Sequence, residues 1–365
     1  MRTIGVEEEF LIVGPDGAPR AVAAAVLQHA SAEHPDHGDT PGGALEKEFA
    51  QEQVETSTHP CEDLDELLAE VRAGRARADA SAQHTGNHVV ALATSPHVAD
   101  PTVVVDARAR RIMSLFARTA RDQLTSGCHV HVQVADDEEG VRIVDHLRRW
   151  NPVLLALSAN SPFWHGDDSG YESFRSQIWG RWPTAGPTAP FGDAATYRRT
   201  VAELVGSGTI LDDGMVYFDA RLSAHYPTVE VRVADVCLDP EDAVLIGALV
   251  RGLADTAVSG VQEPDPTRTE LIRIAGWRAA RTGLGEDLVS PVTGTPAPAA
   301  DVVAQLVEHI TPALRDAGDL AHVEAGVQRL FSRGNGAHQQ RQWRAEGADF
   351  SELVRRAVDA TLSHG

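Results

Sequence analysis

Three carboxylates in a row, Glu7-Glu8-Glu9, stand inside a run that otherwise has the character of a β-strand: Ile4, Val6, Phe10, Leu11, Ile12 and Val13. Side chains alternate faces along a strand, so Glu7 and Glu9 share one face and Glu8 takes the other. Two like charges on one face of a core strand repel each other and lose hydration. A divalent cation with oxygen ligands between them relieves both costs. On this reading Glu7 and Glu9 are metal ligands, and Glu8, pointing away, is the most replaceable of the three. The plainer alternative is a solvated strand edge.

The same alternation recurs downstream. In 126–134, His129, His131 and Gln133 oppose Val130, Val132 and Val134. In 228–233, Glu230 and Arg232 oppose Val229, Val231 and Val233; in 217–222, Tyr217, Asp219 and Arg221 oppose Phe218, Ala220 and Leu222. In 51–57 a polar face carries Gln51, Gln53, Glu55 and Ser57. An antiparallel sheet with one face in the core and one in water accounts for the alternation. It does not account for a wet face made of Glu, His, Arg and Gln, which suits divalent metal and phosphate. Mg²⁺ prefers carboxylate and phosphate oxygens, and Arg offers phosphate or carboxylate a planar fork. Phosphoryl transfer runs mostly on such positioning and charge neutralisation.

Each piece also has an ordinary explanation. His129-x-His131 can be structural, and Glu230-x-Arg232 can be a same-face ion pair. Cys128, next to His129 but on the opposite face, reads as a small core residue rather than a nucleophile. Trp164, Trp179 and Trp182 read as packing. The conjunction favours chemistry. A zinc-dependent hydrolase using His129 and His131 stays open, although that class needs further ligands and leaves Glu7 and Glu9 unexplained.

The elements that would position these residues follow from pattern and punctuation. The first strand ends at Gly14-Pro15-Asp16-Gly17, a turn that predicts a hairpin with a second extended piece. Residues 62–84 have the apolar stripe of a helix through Leu64, Leu67, Leu68 and Val71. A short strand is expected over 88–93, a helix over 108–122, the clearest strand over 126–134, and helix over 136–160 with an interruption at Pro152. Residues 161–195, rich in Pro, Gly, Trp and Arg, read as a long irregular connection, and length of that kind suggests function. Strands are expected over 215–223 and 228–233, then mainly helix from 240, broken at 291–299 and 332–336. Strands early and helices late indicate α+β. With no linker in view, the chain reads as one domain over 1–365, strand-rich over 1–235 and mainly helical over 240–365.

A net charge of −21 argues against nucleic acid or an anionic membrane as partner. Lys47 is the only lysine, so there is no Gly-Lys-Ser/Thr P-loop. Cys61, Cys128 and Cys237 lie far apart with no C-x-x-C pair, and no apolar run approaches a bilayer span. A reduced, cytoplasmic setting is the expectation.

Six ordered segments carry a resemblance. They are Gly5-Val6-Glu7-Glu8-Glu9-Phe10, Gln53-Val54-Glu55-Thr56, Ser126-Gly127-Cys128-His129-Val130-His131-Val132, Leu157-Ser158-Ala159-Asn160-Ser161-Pro162-Phe163-Trp164, the stretch from Ser173-Phe174-Arg175 to Pro183-Thr184-Ala185-Gly186-Pro187, and Val229-Glu230-Val231-Arg232 followed by Asp235. Together they resemble the carboxylate–amine ligases related to bacterial and plant-type glutamate–cysteine ligase, in particular the YbdK-like branch. The resemblance implies a curved antiparallel β-sheet backed by helices, like the catalytic domain of glutamine synthetase and guanido kinases, binding ATP and two or three Mg²⁺ on its concave face. By match to the family, Glu7, Glu9, Glu55, His129 and Glu230 are metal ligands, and Arg232 lies near the substrate carboxylate or the transferred phosphate. Glu55, Glu230 and Arg232 are the catalytic candidates. Gln53, Arg175, Arg221, Arg232 and Arg341 are candidates for ATP or substrate contact, and the role of His131 is open. With no phosphate-binding lysine expected, Arg and Mg²⁺ would do all the phosphate work. The implied reaction activates a carboxylate as an acyl phosphate at the expense of ATP and transfers it to an amine. Glutamate and cysteine are the family default, and another amide-forming step in specialised metabolism stays open. The implied partners are these small molecules and a second copy in a homodimer. The ligand set is expected to converge within roughly 6–8 Å, given Mg–O distances of ~2.1 Å.

Overall fold

The computed structural model describes residues 1–33, 42–104, 106–260 and 265–363. Alternation decides the architecture. The strands among the described residues are β1 (Ile4–Val13), β2 (Leu45–Lys47), β3 (Gln53–Ser57), β4 (His88–Val90), β5 (Gly127–Gln133), β6 (Phe163–Trp164), β7 (Asp167–Asp168), β8 (Ala220–Leu222), β9 (Thr228–Asp235), β10 (Asp287–Val289) and β11 (Pro296–Pro298). Seven of them form one open antiparallel sheet in the order β2-β3-β1-β5-β9-β8, with β4 also paired to β1. The pairs β6–β7 and β10–β11 are separate small ladders.

One face of the sheet is apolar. Ile4, Val6, Cys128, Val130, Val132, Val229 and Val231 are buried on it. They meet the helices Leu64–Gln83, Asp137–Leu147, Asn151–Ser158 and Pro240–Val258. The last of these starts with Asp239 as N-cap and Pro240 in its first turn, and is buried almost all round. One apolar cluster runs from Ile4 on β1 to Leu330 on the helix Leu320–Arg333, so the helical second half closes the core that the strands begin. The layers are those of an α+β fold, a sheet backed by helices on one face. Among the described residues no helix is long and apolar enough to cross a membrane.

Glu8 does point to the helical side, but it is not expendable. It is 2% exposed and accepts from Arg75 Nε at 2.9 Å and Nη2 at 2.6 Å. Arg75, on Leu64–Gln83, also donates to the carbonyls of Cys237, Leu238 and Thr361. Removing one partner of such a pair leaves the other charge buried and uncompensated.

The remaining departures have local causes. After the turn at 14–17 the expected hairpin shrinks to a single bridge between Val13 and Pro19. Pro19 has no N–H to extend a ladder, and the Ala-rich run behind it becomes the helix Ala23–Glu33. The 136–160 region divides into Asp137–Leu147 and Asn151–Ser158, with Pro152 in the first turn of the second helix, where its missing N–H costs nothing. In 215–223 only Ala220–Leu222 is strand, preceded by a 3₁₀ turn at Asp213–Met215.

Candidate active site

Strand register assembles the polar face. Glu9 pairs with Glu55 and Glu7 with His129, while His131 faces Glu230, which in turn faces Arg221. Directly opposed residues keep their Cβ atoms about 4.5–5.5 Å apart, so these side chains must share one volume. A register shift between β5 and β9 places both Arg232 and Val233 opposite His129, a bulge of the kind that re-aims side chains at functional sites. Over this face lies a cavity of about 490 Å³, walled on the far side by Trp179, Tyr217 and Tyr226.

Ligand atoms gather here in three overlapping groups: Glu7–Glu55–His129, Glu7–His131–Glu230 and Glu9–Glu48–Glu55. Within each group the atoms lie within 4.8 Å of one another. Glu7 Oε2 is 3.5 Å from His129 Nδ1 and Glu7 Oε1 is 3.1 Å from His131 Nε2. Glu9 Oε1 lies 3.7 Å from His129 Nε2, and Glu55 Oε1 lies 3.9 Å from His129 Nδ1. Glu7 and Glu230 thus lie on the same face, and all five expected ligands converge. His131, left without a role by the sequence, is part of the second group, where its Nδ1 is 2.9 Å from Thr228 Oγ1. Glu48 was not singled out. It sits between β2 and β3, outside any strand alternation, and only the chain reversal brings it to Glu9 and Glu55.

The electrostatics are those of a site short of positive charge. Burial, then Glu48, Glu7 and Glu9, push the Glu55 carboxyl well above its usual range. Burial and Glu9 push Glu48 up to about 7. Burial would also raise Glu7, but the His129 and His131 imidazoles beside it hold it well below the usual range. Both ring nitrogens of buried His129 lack a hydrogen-bond partner, and burial with the nearby Arg232 lowers its pKa. Against the pull of burial, Arg232 and Arg221 hold Glu230 strongly ionised.

The cations around this cluster are mostly committed. Arg221 Nε and Nη2 donate to Glu230 at 2.8 and 3.3 Å, and Arg232 donates to the same carboxylate. Arg232 also stacks on Trp179, its Cζ 5.7 Å from the ring centroid, and keeps Nε without a partner. Lys47 lines the cavity after all, with its ammonium 3.5 Å from Asp106, so a lysine does stand at a site where only arginines were expected.

Other candidates fall outside the cluster. Gln53 lines the cavity, but its amide donates to the Thr125 carbonyl at 2.9 Å and to Ser126 Oγ at 3.0 Å, which spends its N–H groups on the scaffold. Arg175 lines a neighbouring cavity, with Nη1 3.8 Å from Asp235. Arg341, expected to contact an anion, lies away from this cluster. It pairs with Asp168 at 3.0 and 2.8 Å and with Glu172, and it does not line the cavity. Its ion pairs staple the 161–195 connection instead. The same connection is pinned by buried Asp235, which accepts from Asn160 N, Ser161 Oγ and Ser173 Oγ at 2.7–2.9 Å. That anchoring sets Trp179 into the cavity wall.

Residues 3–360 match the model of the glutamate–cysteine ligase family 2. The chain belongs to this family. Among its relatives is a Streptomyces avermitilis protein, 48% identical over 365 residues and covering 99% of both chains, whose provisional name is glutamate–cysteine ligase 2-1. A Paenarthrobacter aurescens protein of the same provisional name is 46% identical over 369 residues, covering 100% of this chain and 96% of its own. As a member of glutamate–cysteine ligase family 2, the protein is a carboxylate–amine ligase. Solved structures show the shared fold at low identity. The Francisella tularensis glutamate–cysteine ligase in complex with AMP superposes with a TM-score of 0.70 at 12% identity, over 100% of this chain and 89% of that one. A bifunctional glutathione synthetase from Pasteurella multocida also gives 0.70, at 15% identity over 99% of this chain, which spans only 52% of that enzyme. The sheet backed by helices is therefore the fold that these two ligases share.

Proposed function

We propose that the protein joins L-glutamate to an amine through an acyl phosphate, consuming ATP and using Mg²⁺. The observation that carries this reading is the set of three overlapping carboxylate–imidazole groups on one sheet face. The fit to a hard divalent cation is good. The donors are mainly carboxylate oxygens, both nitrogens of buried His129 are unpartnered, and burial with three acidic neighbours pushes Glu55 well above its usual range, a cost that a cation relieves. Glu7, Glu9, Glu48, Glu55, His129, His131 and Glu230 would hold two or three ions. Bound there, Mg²⁺ supplies neutralisation of the polyphosphate charge.

The chain's own contribution is positional. Glu230 and Trp179 fix Arg232, leaving its Nε free for the phosphoryl group in transfer. A carboxylate oxygen of the substrate bonds to the γ-phosphorus as the bond to the ADP oxygen breaks. The amine nitrogen then bonds to the acyl carbon, the bond to phosphate breaks, and inorganic phosphate and a proton leave. AMP in the Francisella enzyme supports a nucleotide in this cavity. Lys47, loosely held by Asp106, is the cation at the cavity wall best placed to turn toward a phosphate. A zinc hydrolase built on His129 and His131 finds no support in the family.

Purified protein given Mg²⁺-ATP, L-glutamate and a panel of amines is expected to release ADP only when carboxylate and amine are both present. Glu7→Gln, which touches two of the three groups, is expected to lower that rate at least ~100-fold. No ADP release in any combination, with zinc bound stoichiometrically, would overturn the reading.

A further inference from the structure

A second cavity, about 290 Å³, adjoins the first and, among the described residues, shares only Trp179 and Arg232 with it. Trp179 is the partition. The Cζ of Arg175 lies 5.8 Å and that of Arg232 5.7 Å from its ring centroid. Leu155, Ile272 and Trp277 give the second cavity apolar walls, and Asp219, Arg175 and Arg273 give it charge.

Arg175 spends Nη1 and Nη2 on the Val233 and Arg232 carbonyls at 3.4 and 3.3 Å, yet other polar atoms of the cavity have no hydrogen-bond partner. The backbone of Asp219 is engaged, its N–H with the Gly186 carbonyl at 3.1 Å and its C=O with Arg232 N at 2.9 Å. Among the described residues its carboxylate accepts no hydrogen bond and enters no ion pair; burial pushes it up to about 7 against the opposing charges of Arg273 and Arg175, so it is ionised above that pH. The Nε of Arg175, a residue 2% exposed, is buried without a partner. Unpaired polar groups at such depth are costly, and a ligand that pairs them recovers the loss. Space for one remains, since a Cβ added at Gly186 or Gly276 would meet nothing within 4 Å. A cavity with a carboxylate, guanidinium groups and an indole wall fits a small molecule carrying both an ammonium and an anionic group.

Building on the ligase reading, we propose that this second cavity is the entry subsite for the acceptor amine, with Asp219 holding its ammonium group and the Arg175–Arg273 side holding an anionic group on the same molecule. Two physical reasons assign it to the acceptor rather than the donor. The donor carboxylate must meet the transferred phosphoryl group among the metal-facing residues, whereas the acceptor is needed only at the acyl carbon, beside Arg232. An ammonium entering through the first cavity would also be drawn to Glu7, Glu9, Glu48 and Glu55, where it would compete with the cations. The partition at Trp179 keeps the two charges apart.

Calorimetric titration of the intact, nucleotide-free protein tests this directly. L-2-Aminobutyrate is expected to bind. Ethylamine and propionate, each with one of its two charges, are expected to bind at least tenfold more weakly. Asp219→Asn removes the anion without changing shape. Gly276→Leu extends into the cavity from a helix position where an added Cβ meets nothing within 4 Å. Each is expected to weaken aminobutyrate binding at least tenfold and to raise the amine KM in the ADP-release assay by a similar factor, with the KM for ATP unchanged. Unchanged binding and unchanged amine KM in both folded variants, with turnover intact, would overturn the subsite while leaving the ligase reading standing. Displacement of aminobutyrate by L-glutamate at lower concentration than by any other amine would give the cavity to the donor and also overturn it. Absence of amine-dependent ADP release by the wild type would end both readings together.

Discussion

The Glu7-Glu8-Glu9 triplet divides by face into two different jobs. Glu7 and Glu9 enter the ligand groups, Glu7 two of them, while Glu8 is locked to Arg75 beneath the sheet. The alternation that separates them was legible in the sequence. The ion pair was not, because nothing local links position 8 to position 75. Glu8→Gln is therefore expected to cost about 3–5 kcal/mol of unfolding free energy, the range for breaking a buried pair, as measured by denaturant titration. A loss below about 1 kcal/mol would contradict the pairing. Glu48 makes the second residue-level prediction. With its carboxyl pushed up to about 7, the folded state favours the protonated form. In metal-free protein this contribution to stability is full below the unfolded value near 4.5 and is lost as pH rises through about 7. Mg²⁺ binds the ionised form, so the rise in Tm on saturation with Mg²⁺ is expected to be larger at about pH 8 than at about pH 6. Glu48→Gln is expected to flatten that difference, and a pH-independent Mg²⁺ effect in the wild type would remove Glu48 from the ligand set.

At the scale of elements, β5 and β9 were readable because valine alternates with polar residues along them, and β1 because Ile4, Val6 and the apolar run from Phe10 to Val13 frame its carboxylates. Which face each presents then followed, since a one-residue slip would turn the valines out of the core, but the pairing and register of the strands did not. What the pattern could not supply lies where no period operates: the turn carrying Glu48, the bulge opposite His129, and the 161–195 connection, whose path depends on Asp235 and on the Arg341 ion pairs. Arg341 looked like an anion-binding residue because its family context and its charge are visible in sequence, while Asp168 and Glu172, which neutralise it, are distant neighbours. Gly127, at the start of β5, tests how tightly these elements are fitted. Its N–H donates to Glu9 Oε2 at 2.6 Å, and an added Cβ would lie 3.1 Å from His129 Nε2 and closer still to the Arg175 guanidinium. Gly127→Ala is expected to cost about 1–3 kcal/mol in stability through overpacking and to lower ADP release further than that loss explains, by displacing His129. Equal activity per folded molecule would show that the strand can shift to absorb the methyl group.

For the whole molecule, a net charge of −21 and a cavity rich in carboxylates would repel a nucleotide, which makes divalent cations the link between protein and ATP. The division of labour is then clear: helices hold the apolar face, strands set the ligands in rows, and the 161–195 connection, through its short helix Arg175–Trp179, delivers Trp179 to the wall between two cavities. The central claim is that a substrate carboxylate is activated by direct transfer of a phosphoryl group in the first cavity. Its most direct test is isotopic. With L-glutamate labelled with ¹⁸O in its side-chain carboxylate, turnover in the presence of Mg²⁺-ATP and L-cysteine is expected to deliver one ¹⁸O atom into each released inorganic phosphate, detected by mass spectrometry. Phosphate released without label, at undiminished turnover, would contradict the acyl phosphate and with it the role given to the cavity.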